Sequence, residues 1–427
     1  MRHIVRRIAL PLLLSLACAP KAPSPAASAP ATAVPTEAPA AVQSPEALAQ
    51  SILVLDGHVD VPWRLDKSRR EDGSLSEDIT AATEDGDFDY PRARAGGLDA
   101  PFMSIYVSAS FEDNGAKAVA DRLIDMIESI VASAPDKFAL APTVASVRAN
   151  FAAGKISLPM GMENGAPIEG DLANVAYFQQ RGIRYITLTH SKDNHISDSS
   201  YDERHTHKGL SPFGEKVVRE MNRVGIMVDV SHISDEAFDD VMRTSQVPVI
   251  ASHSSCRHFT PGWERNMSDA MIKRLAAAGG VIQVNFGSDF LDGAVSEART
   301  RHAAALSEHL KANKLDPESD AGKERAALYQ QDNPAPRATV ETVADHIDHV
   351  VALVGVDHVG LGSDFDGVGD SLPEGLQDAS GIPNLFAVLL DRGYSPADIE
   401  KVASGNVLRV WQAVEDHAAQ AQAAGPQ

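Results

Sequence analysis

The sequence has only two cysteines among its 427 residues, Cys18 and Cys256. Cys18 lies in an N-terminal segment that resembles an export signal, so it is not part of the folded domain. Cys256 then has no partner for an intramolecular disulfide, even in an oxidising compartment. The stability of the domain must therefore come from packing rather than from disulfide cross-links.

Basic residues are also scarce, since 38 lysines and arginines stand against 59 aspartates and glutamates, a formal charge of −21. A chain of this charge is repelled by a phosphate backbone and by an anionic lipid surface. The composition therefore argues against a nucleic-acid partner and against a membrane contact through the protein surface itself. Small neutral or cationic ligands remain possible.

The apolar stretch near the N-terminus, residues 8–17, is too short to cross a bilayer as a helix. It follows a basic start with three arginines, which is the pattern of an export signal. Residues 14–18 resemble a bacterial lipoprotein cleavage box, with Ser15 where leucine is usual. We therefore predict that residues 1–18 are a signal peptide and that Cys18 is lipidated in a bacterial periplasm. Secretion without lipidation and an uncleaved anchor are the alternatives.

The rest of the chain divides by composition into three parts. Residues 19–45 are rich in Ala, Pro, Ser and Thr, which do not form a core and indicate an extended tether. Residues 46–415 contain recurring apolar runs without a long polar break, which predicts one large domain. Residues 416–427 are predicted to be a polar tail.

Strand-like and helical patterns alternate through this large domain. Eight apolar runs predict an α/β fold, a (β/α)8 TIM-like barrel. A helix after the second run is indicated by apolar residues at helical spacing between Val119 and Ile130. Further helices are predicted over 213–224, 235–244, 268–278 and 339–354. The charged, strand-free segment 295–336 is predicted to be a helical insertion between strands seven and eight.

Seven of these runs end in a residue that can hold a metal ion or move a proton. In order, the runs lead to His58 and Asp60, Glu163, His190, His232, His253, Asn285 and Asp364. In a barrel of this type the active site lies at the C-terminal ends of the strands, because the loops there converge on the barrel axis. A single histidine at a strand end is usually structural. So many histidines and acidic residues at the same end of the barrel are not expected by chance. The pattern therefore predicts a metal-dependent active site.

The spacing of these residues is compatible with two metal ions. His58 and Asp60 are two residues apart on a strand, so both side chains can reach one ion. His232 and His253, from neighbouring strands, supply two nitrogens for a second ion. Glu163 can bridge the two ions through its two carboxylate oxygens. Such a pair activates a water and polarises a carbonyl.

Other polar residues are assigned to proton transfer, to the pocket or to structure. Asp364 is predicted to accept the proton of the water and to pass it to a leaving amine, and the alternative is a turn aspartate. His190 is predicted to stabilise an oxyanion, and the alternative is a structural histidine. Asn285 is predicted to line the pocket, with a structural role equally open. Five further residues are predicted to have structural or solvent-exposed roles rather than roles in the active site: His195, His205, His207, Cys256 and Asp366.

Several segments, taken in order, resemble the membrane dipeptidase family, also called renal dipeptidase, whose members are dinuclear zinc peptidases among the amidohydrolase-like barrels. They are DGHVDVPW, GMENG, ITLTH, MVDVSH, IASHSS, RNMSD, VNF and HVGLGSDFDG. The resemblance covers about residues 51–411. It implies two Zn²⁺ per subunit, held by the ligands named above, with Asp364 as acid and base and His190 beside the scissile bond. It also implies that Arg265, in RNMSD, binds the substrate carboxylate, to which a guanidinium can donate two hydrogen bonds.

The resemblance further implies hydrolysis of L-Xaa-L-Xaa and L-Xaa-D-Xaa dipeptides, some β-lactam hydrolysis and a homodimer. Two alternatives remain, namely another amide or lactone hydrolase of the same superfamily and a lipoprotein that binds metal or peptide without turnover. Asp364 weighs against the latter, because metal storage needs no proton shuttle. Zinc, manganese and cobalt are all compatible with the ligand types.

Overall fold

The computed structural model describes residues 43–424 of the chain. The predicted signal peptide, Cys18 and most of the predicted tether lie outside these residues. Within the described part, we find no helix that combines the length and the apolar character needed to span a membrane.

Eight parallel strands form one sheet in chain order. Their residues are almost all buried, as expected for strands covered on both faces. The strands are Val54–Val59, Leu98–Tyr106, Met160–Glu163, Ile183–Thr187, Met227–Asp229, Ile250–Ala251, Val281–Val284 and Val359–Leu361. They correspond to the eight apolar runs of the sequence.

The eighth strand returns to the first, which closes the sheet at its C-terminal end. The backbone N–H of Asp364 donates to the carbonyl of His58 at 3.0 Å, and that of Asp60 donates to the carbonyl of Phe365 at 2.7 Å. Val59 and Phe365 form a parallel bridge between these bonds. The predicted (β/α)8 barrel is therefore confirmed, and the C-terminal ends of all eight strands surround one opening.

Helices α1 to α16 of the described residues pack around this barrel or extend from it. They are Pro45–Ser51, Val61–Lys67, Tyr90–Gly96, Ala116–Ser133, Val144–Ala152, Ala173–Gln180, Pro212–Val224, Asp235–Thr244, Asp269–Ala277, Ser288–Leu291, Gly293–Ala312, Asp320–Asp332, Val340–Val354, Ile382–Asp391, Pro396–Glu400 and Asn406–Ala423. Three of the outer helices, α7 to α9, begin where a serine side chain accepts a backbone N–H three residues further on: Ser211, Ser234 and Ser268. Such caps set where each loop turns into a helix.

The third barrel strand is shorter than the apolar run that predicted it. Ile156–Leu158 pairs with Phe138–Leu140 in a separate two-stranded sheet. Pro159, which has no N–H to donate to a ladder, separates this pair from Met160–Glu163. The run SLPMGMEN therefore contributes to two sheets, and only its second half reaches the barrel opening.

The sequence also predicts an insertion between strands seven and eight and an end of the large domain at residue 415. The predicted insertion between strands seven and eight is confirmed and contains α11 and α12. Helix α16 continues past the predicted domain boundary at residue 415 to Ala423. Val410, Val414 and Ala418, spaced four apart on one face of that helix, are all buried against the domain.

Candidate active site

The polar residues predicted at the strand ends meet around the carboxylate of Glu163, at the end of the third strand. Its Oε1 lies 3.2 Å from His232 Nε2, 3.5 Å from His253 Nε2 and 3.5 Å from His190 Nε2. Its Oε2 lies 3.4 Å from His58 Nε2. One buried carboxylate thus contacts histidines from four different strands.

Two aspartates complete this group on the side of the first and eighth strands. His58 Nε2 lies 3.5 Å from Asp60 Oδ2, and both residues offer ligand atoms within 4.8 Å of one on Asp364. Asp364 and His232 have left-handed backbones, with φ of 63° and 69°. Few residues other than glycine adopt this conformation, and it is concentrated at functional sites.

Hydrogen bonds at the outer ring nitrogens orient two of the histidines. His58 Nδ1 lies 2.8 Å from the Tyr185 hydroxyl, and His253 Nδ1 lies 2.7 Å from the Ser252 hydroxyl. Ser252 in turn donates to Asp229 at 2.6 Å, which leaves its oxygen to accept from His253. The Nε2 of each ring is therefore directed towards Glu163, the arrangement found in histidines that bind metals.

The group fits divalent metal ions. His58 Nε2 and Asp60 Oδ1 are buried and have no hydrogen-bond partner among the described residues. A buried polar atom without a partner is costly, so a ligand role accounts for both. Imidazole nitrogens combined with carboxylate oxygens suit zinc, manganese and cobalt.

The possible ligand sets overlap on Glu163. One comprises His58, Glu163 and His253, a second comprises Glu163, His190 and His232, and in each the ligand atoms lie within 4.8 Å of one another. His190, for which the sequence predicts oxyanion stabilisation, lies beside His232, with ring centroids 4.3 Å apart. It therefore borders the metal cluster as well as the open space in front of it.

A cavity of about 680 Å³ opens above this cluster. Asp60, Glu163, His190, His232 and Asp364 contribute to its wall. The other wall residues were not singled out from the sequence: Trp63, Tyr106, Ser191, Lys192, Tyr201, Asp289, Phe290, Gly367, Val368 and Ser371. Tyr106 is the last residue of the second strand, so the strand-end rule applied there also could have found it. Most of the others lie on loops.

Residues 42–425 match the model of a family described as membrane dipeptidase, peptidase family M19. The chain belongs to this family. Among curated proteins, an uncharacterised dipeptidase of Schizosaccharomyces pombe is 32% identical over 392 residues, which covers 88% of this chain and 85% of that protein. Dipeptidase tcpJ of Claviceps purpurea is 34% identical over 342 residues, covering 78% and 71%.

Solved structures of similar proteins agree with this assignment. A protein described as the probable dipeptidase PvdM of Pseudomonas aeruginosa is 28% identical with a TM-score of 0.72, covering 88% of this chain and 98% of that one. A metallopeptidase of Rhodobacter sphaeroides, liganded with a phosphinate mimic of L-Ala-D-Ala, is 26% identical with a TM-score of 0.68, covering 85% and 99%. The membrane dipeptidase resemblance of the sequence is thus confirmed, and with it a hydrolase of the dipeptidase type that depends on metal.

At His232, His253 and Glu163 of this dipeptidase, burial and neighbouring charges favour the protonation states that metal binding requires. Burial lowers the pKa of both His232 and His253 well below the usual value, and the Arg265 charge acts in the same direction. Burial alone would raise the pKa of Glu163, but the histidines around it bring that pKa well below its usual range. Neutral imidazoles and an ionised carboxylate are the forms that bind metals.

The electrostatics of Asp364 differ from those of Glu163 in the same dipeptidase site. Burial raises its pKa to about 7, with further contributions from the charges of Asp60 and Glu163. Gly367 lies directly against it, since a Cβ there would come within 2.2 Å of Asp364 Oδ1 and of Asp60 Oδ2. Only a residue without a side chain leaves both carboxylates in place.

Asn285 differs from its predicted position in the pocket. Its Nδ2 donates to Asp364 Oδ2 at 2.7 Å, its Oδ1 accepts the Gly287 N–H at 2.7 Å, and the side chain is fully buried. Asn285 lies behind Asp364 and does not belong to the cavity wall. Of the two roles left open for Asn285, the structure favours the structural one over lining the pocket, because its amide is directed towards Asp364.

Arg265 lies next to the cluster but behind the cavity wall. Its Nη2 donates to the His253 carbonyl at 2.8 Å and lies 3.1 Å from His232 Nε2, while Nη1 donates to Ser254 Oγ at 2.8 Å. The guanidinium carbon lies 5.3 Å from the centroid of the Phe290 ring, another wall residue. The side chain is only 2% exposed, so His232 and Phe290 separate it from the open cavity.

The five residues that the sequence analysis keeps out of the active site also lie outside the ligand cluster. His195 pairs with Glu112 at 2.5 Å, His207 Nε2 lies 2.8 Å from the Asn194 carbonyl, and the side chain of His205 is 41% exposed. Cys256 is fully buried, which raises the pKa of its thiol. The backbone N–H of Asp87 donates to Asp366 Oδ1 at 2.6 Å, and that of Asp366 donates to Asp87 Oδ2 at 2.8 Å. These bonds tie the loop after α2 to the loop after the eighth strand.

Proposed function

We propose that the protein hydrolyses the peptide bond of dipeptides with a free C-terminal carboxylate, both L-Xaa-L-Xaa and L-Xaa-D-Xaa, with two Zn²⁺ ions per subunit. The observation that supports this most strongly is the cluster of histidines and carboxylates at the floor of a cavity of about 680 Å³. A cavity of this volume suits a small ligand. The Rhodobacter sphaeroides relative, which binds a dipeptide mimic, is in agreement.

His58, Asp60 and Glu163 would hold one ion, and Glu163, His232 and His253 would hold the other. Glu163 suits both roles because its two oxygens face different histidines, Oε2 towards His58 and Oε1 towards His232 and His253. When bound, such ions polarise the peptide carbonyl and lower the pKa of a water molecule.

Asp364 would accept a proton from the attacking water and deliver it to the leaving amine. A carboxyl group whose pKa is about 7 can take up and release a proton near neutral pH. The hydrogen bond from Asn285 occupies Oδ2 and orients the carboxylate, while Oδ1 is the oxygen next to Gly367 in the cavity wall.

His190 and Arg265 would act on the substrate rather than on the water. His190 borders the cavity, and its Nδ1 has no hydrogen-bond partner among the described residues, so the ring can turn to donate to the oxyanion. Arg265 would attract the substrate carboxylate. His232 and Phe290 separate it from the cavity, and because His232 would be held by an ion, Phe290 must shift for direct contact.

Three finer properties complete the proposal. β-Lactam hydrolysis would be a side activity, since a β-lactam antibiotic also carries a carboxylate beside an amide. The N-terminal pattern suggests export to a bacterial periplasm with a lipid anchor on Cys18. Family resemblance suggests a homodimer.

The direct test is hydrolysis of matched dipeptides by the zinc-loaded protein. Free L-Xaa-L-Xaa and L-Xaa-D-Xaa substrates would be compared with the same dipeptides amidated at the C-terminus, and Asp364→Asn would be the metal-binding control without turnover. Cleavage of free dipeptides only is expected. Cleavage of no peptide by the metal-loaded protein would contradict the proposal and favour another amide or lactone substrate.

A further inference from the structure

A second group of potential metal ligands lies away from the cavity. It comprises His258, in the short turn that follows the sixth strand, Asp269, the first residue of α9, and His349 in α13. Their ligand atoms all lie within 4.8 Å of one another. None of the three belongs to the central cluster or to the wall of the active-site cavity.

The contacts among these three side chains are close. His349 Nε2 lies 2.8 Å from Asp269 Oδ1. The rings of His258 and His349 stack with centroids 4.4 Å apart and an angle of 22° between their planes. The side chain of His349 is 16% exposed, that of Asp269 is 42% exposed, and His258 is exposed. An ion can therefore enter from solvent and keep water molecules at its remaining positions.

The neighbouring side chains are bound to other partners and do not compete for an ion at this position. His346, on the same face of α13, accepts the Cys256 N–H at Nδ1 and lies 2.9 Å from the Leu291 carbonyl at Nε2, so both of its nitrogens are engaged. Arg257, the residue before His258, is bound to Asp235 at 2.6 and 2.7 Å. Its charge is thereby balanced by a carboxylate outside the group.

We propose that His258, Asp269 and His349 bind one divalent transition-metal ion, of the class of Zn²⁺, Ni²⁺ or Cu²⁺, in addition to the ions of the active site. Two imidazoles and one carboxylate are ligands of the type that these ions prefer. Donor atoms already within 4.8 Å need only side-chain rotation to reach metal bonds of about 2.0 to 2.2 Å.

A bound ion would cross-link three segments that no covalent bond joins locally. The turn after the sixth strand, the start of α9 and the middle of α13 would share one ion, and binding only to the folded chain raises its stability with ion concentration. This site does not depend on the substrate or the reaction, so its presence can be tested independently of the dipeptidase proposal.

The experiment uses the full chain loaded with its active-site metal and equilibrated in metal-free buffer, with Zn²⁺ as the probe. Calorimetric titration and metal analysis after desalting count the further ions bound. We expect one further equivalent for the wild type and for His205→Ala, a control that also removes an exposed loop histidine near a carboxylate. His258→Ala should weaken this binding by more than about tenfold.

Thermal unfolding gives a second readout that does not depend on activity. Added Zn²⁺ should raise the Tm of the wild type and of His205→Ala more than that of His258→Ala. His258 is exposed, so its replacement leaves the fold intact, which circular dichroism checks. The proposal is overturned if the wild type binds no ion beyond those of the active site, or if His258→Ala binds the further ion as tightly as the control.

Discussion

A buried aspartate at the end of the barrel opposite the active site makes stability depend on pH. Asp99 lies at the start of the second strand and is only 5% exposed. Its Oδ2 accepts the Val54 N–H at 3.1 Å, and its Oδ1 lies 3.6 Å from Arg94 Nη1. Burial raises the pKa of this carboxyl from 3.8 to about 7, although the Val54 hydrogen bond and the Arg94 charge act in the opposite direction.

The sign of the effect follows from proton binding in the two states. Between pH 4 and pH 7, roughly, the folded state keeps the proton on Asp99 while the unfolded state has lost it, so the free energy of unfolding falls as pH rises. The full shift corresponds to about 4 kcal/mol, at about 1.4 kcal/mol per pH unit. Relaxation around a buried ion reduces this cost, and we expect about 2 kcal/mol.

Asp99→Asn removes the ionisation but keeps an oxygen that can accept the Val54 N–H. Relative to the wild type, this variant should be about 2 kcal/mol more stable at pH 8, while the difference should nearly vanish at pH 4.5. Urea unfolding followed by circular dichroism across this range measures the difference. Asp391→Asn, on the exposed end of α14, is the control for losing one negative charge. A constant difference for Asp99→Asn from pH 4.5 to pH 8 would refute the reasoning.

Four further outcomes follow from the site. Arg265→Lys should lower kcat/KM for free dipeptides by about 10²-fold or more, and an unchanged kcat/KM would contradict the carboxylate role. Asn285→Ala should lower kcat by about tenfold with little change in KM, because Asp364 loses the hydrogen bond at 2.7 Å that orients it; an unchanged kcat would argue against this positioning. Gly367→Ala should abolish turnover while the fold persists, since its Cβ would displace Asp364 and Asp60; an active variant would show that the loop adapts. Removal of metal by a chelator should lower the Tm, because His58 and Asp60 then retain buried atoms without partners. Differential scanning fluorimetry measures this change, and an unchanged Tm would contradict metal binding by these residues.

Much of the barrel and of the ligand cluster follows from local patterns. A strand places residues i and i+2 on the same side, so the spacing of His58 and Asp60 already predicts that both reach one point. Parallel strands of a barrel end at the same rim, so Glu163, His232 and His253 could be brought together without knowledge of the loops. This inference uses only periodicity and topology, which short stretches of sequence specify.

Positions that depend on neighbouring segments could not be derived in this way. The run SLPMGMEN looks like one strand, but the partner of its first half, Phe138–Leu140, comes from elsewhere in the chain. Asn285 follows the strand-end rule, yet the direction of its amide is decided by Asp364 on the adjacent strand. Arg265 lies behind His232 and Phe290 because a loop after the sixth strand folds back against the barrel.

By itself, the sequence determined the class of fold, the end of the barrel that carries the site and the residue types that meet there, because hydrophobic periodicity and strand-end position are local properties. The tertiary structure alone decided which residues beyond the strand ends form the cavity wall, such as Trp63 and Tyr201, and that His258, Asp269 and His349 lie together. Those contacts join segments far apart in the chain. Their geometry is set by how helices and loops pack on the closed barrel, which no short stretch of sequence specifies.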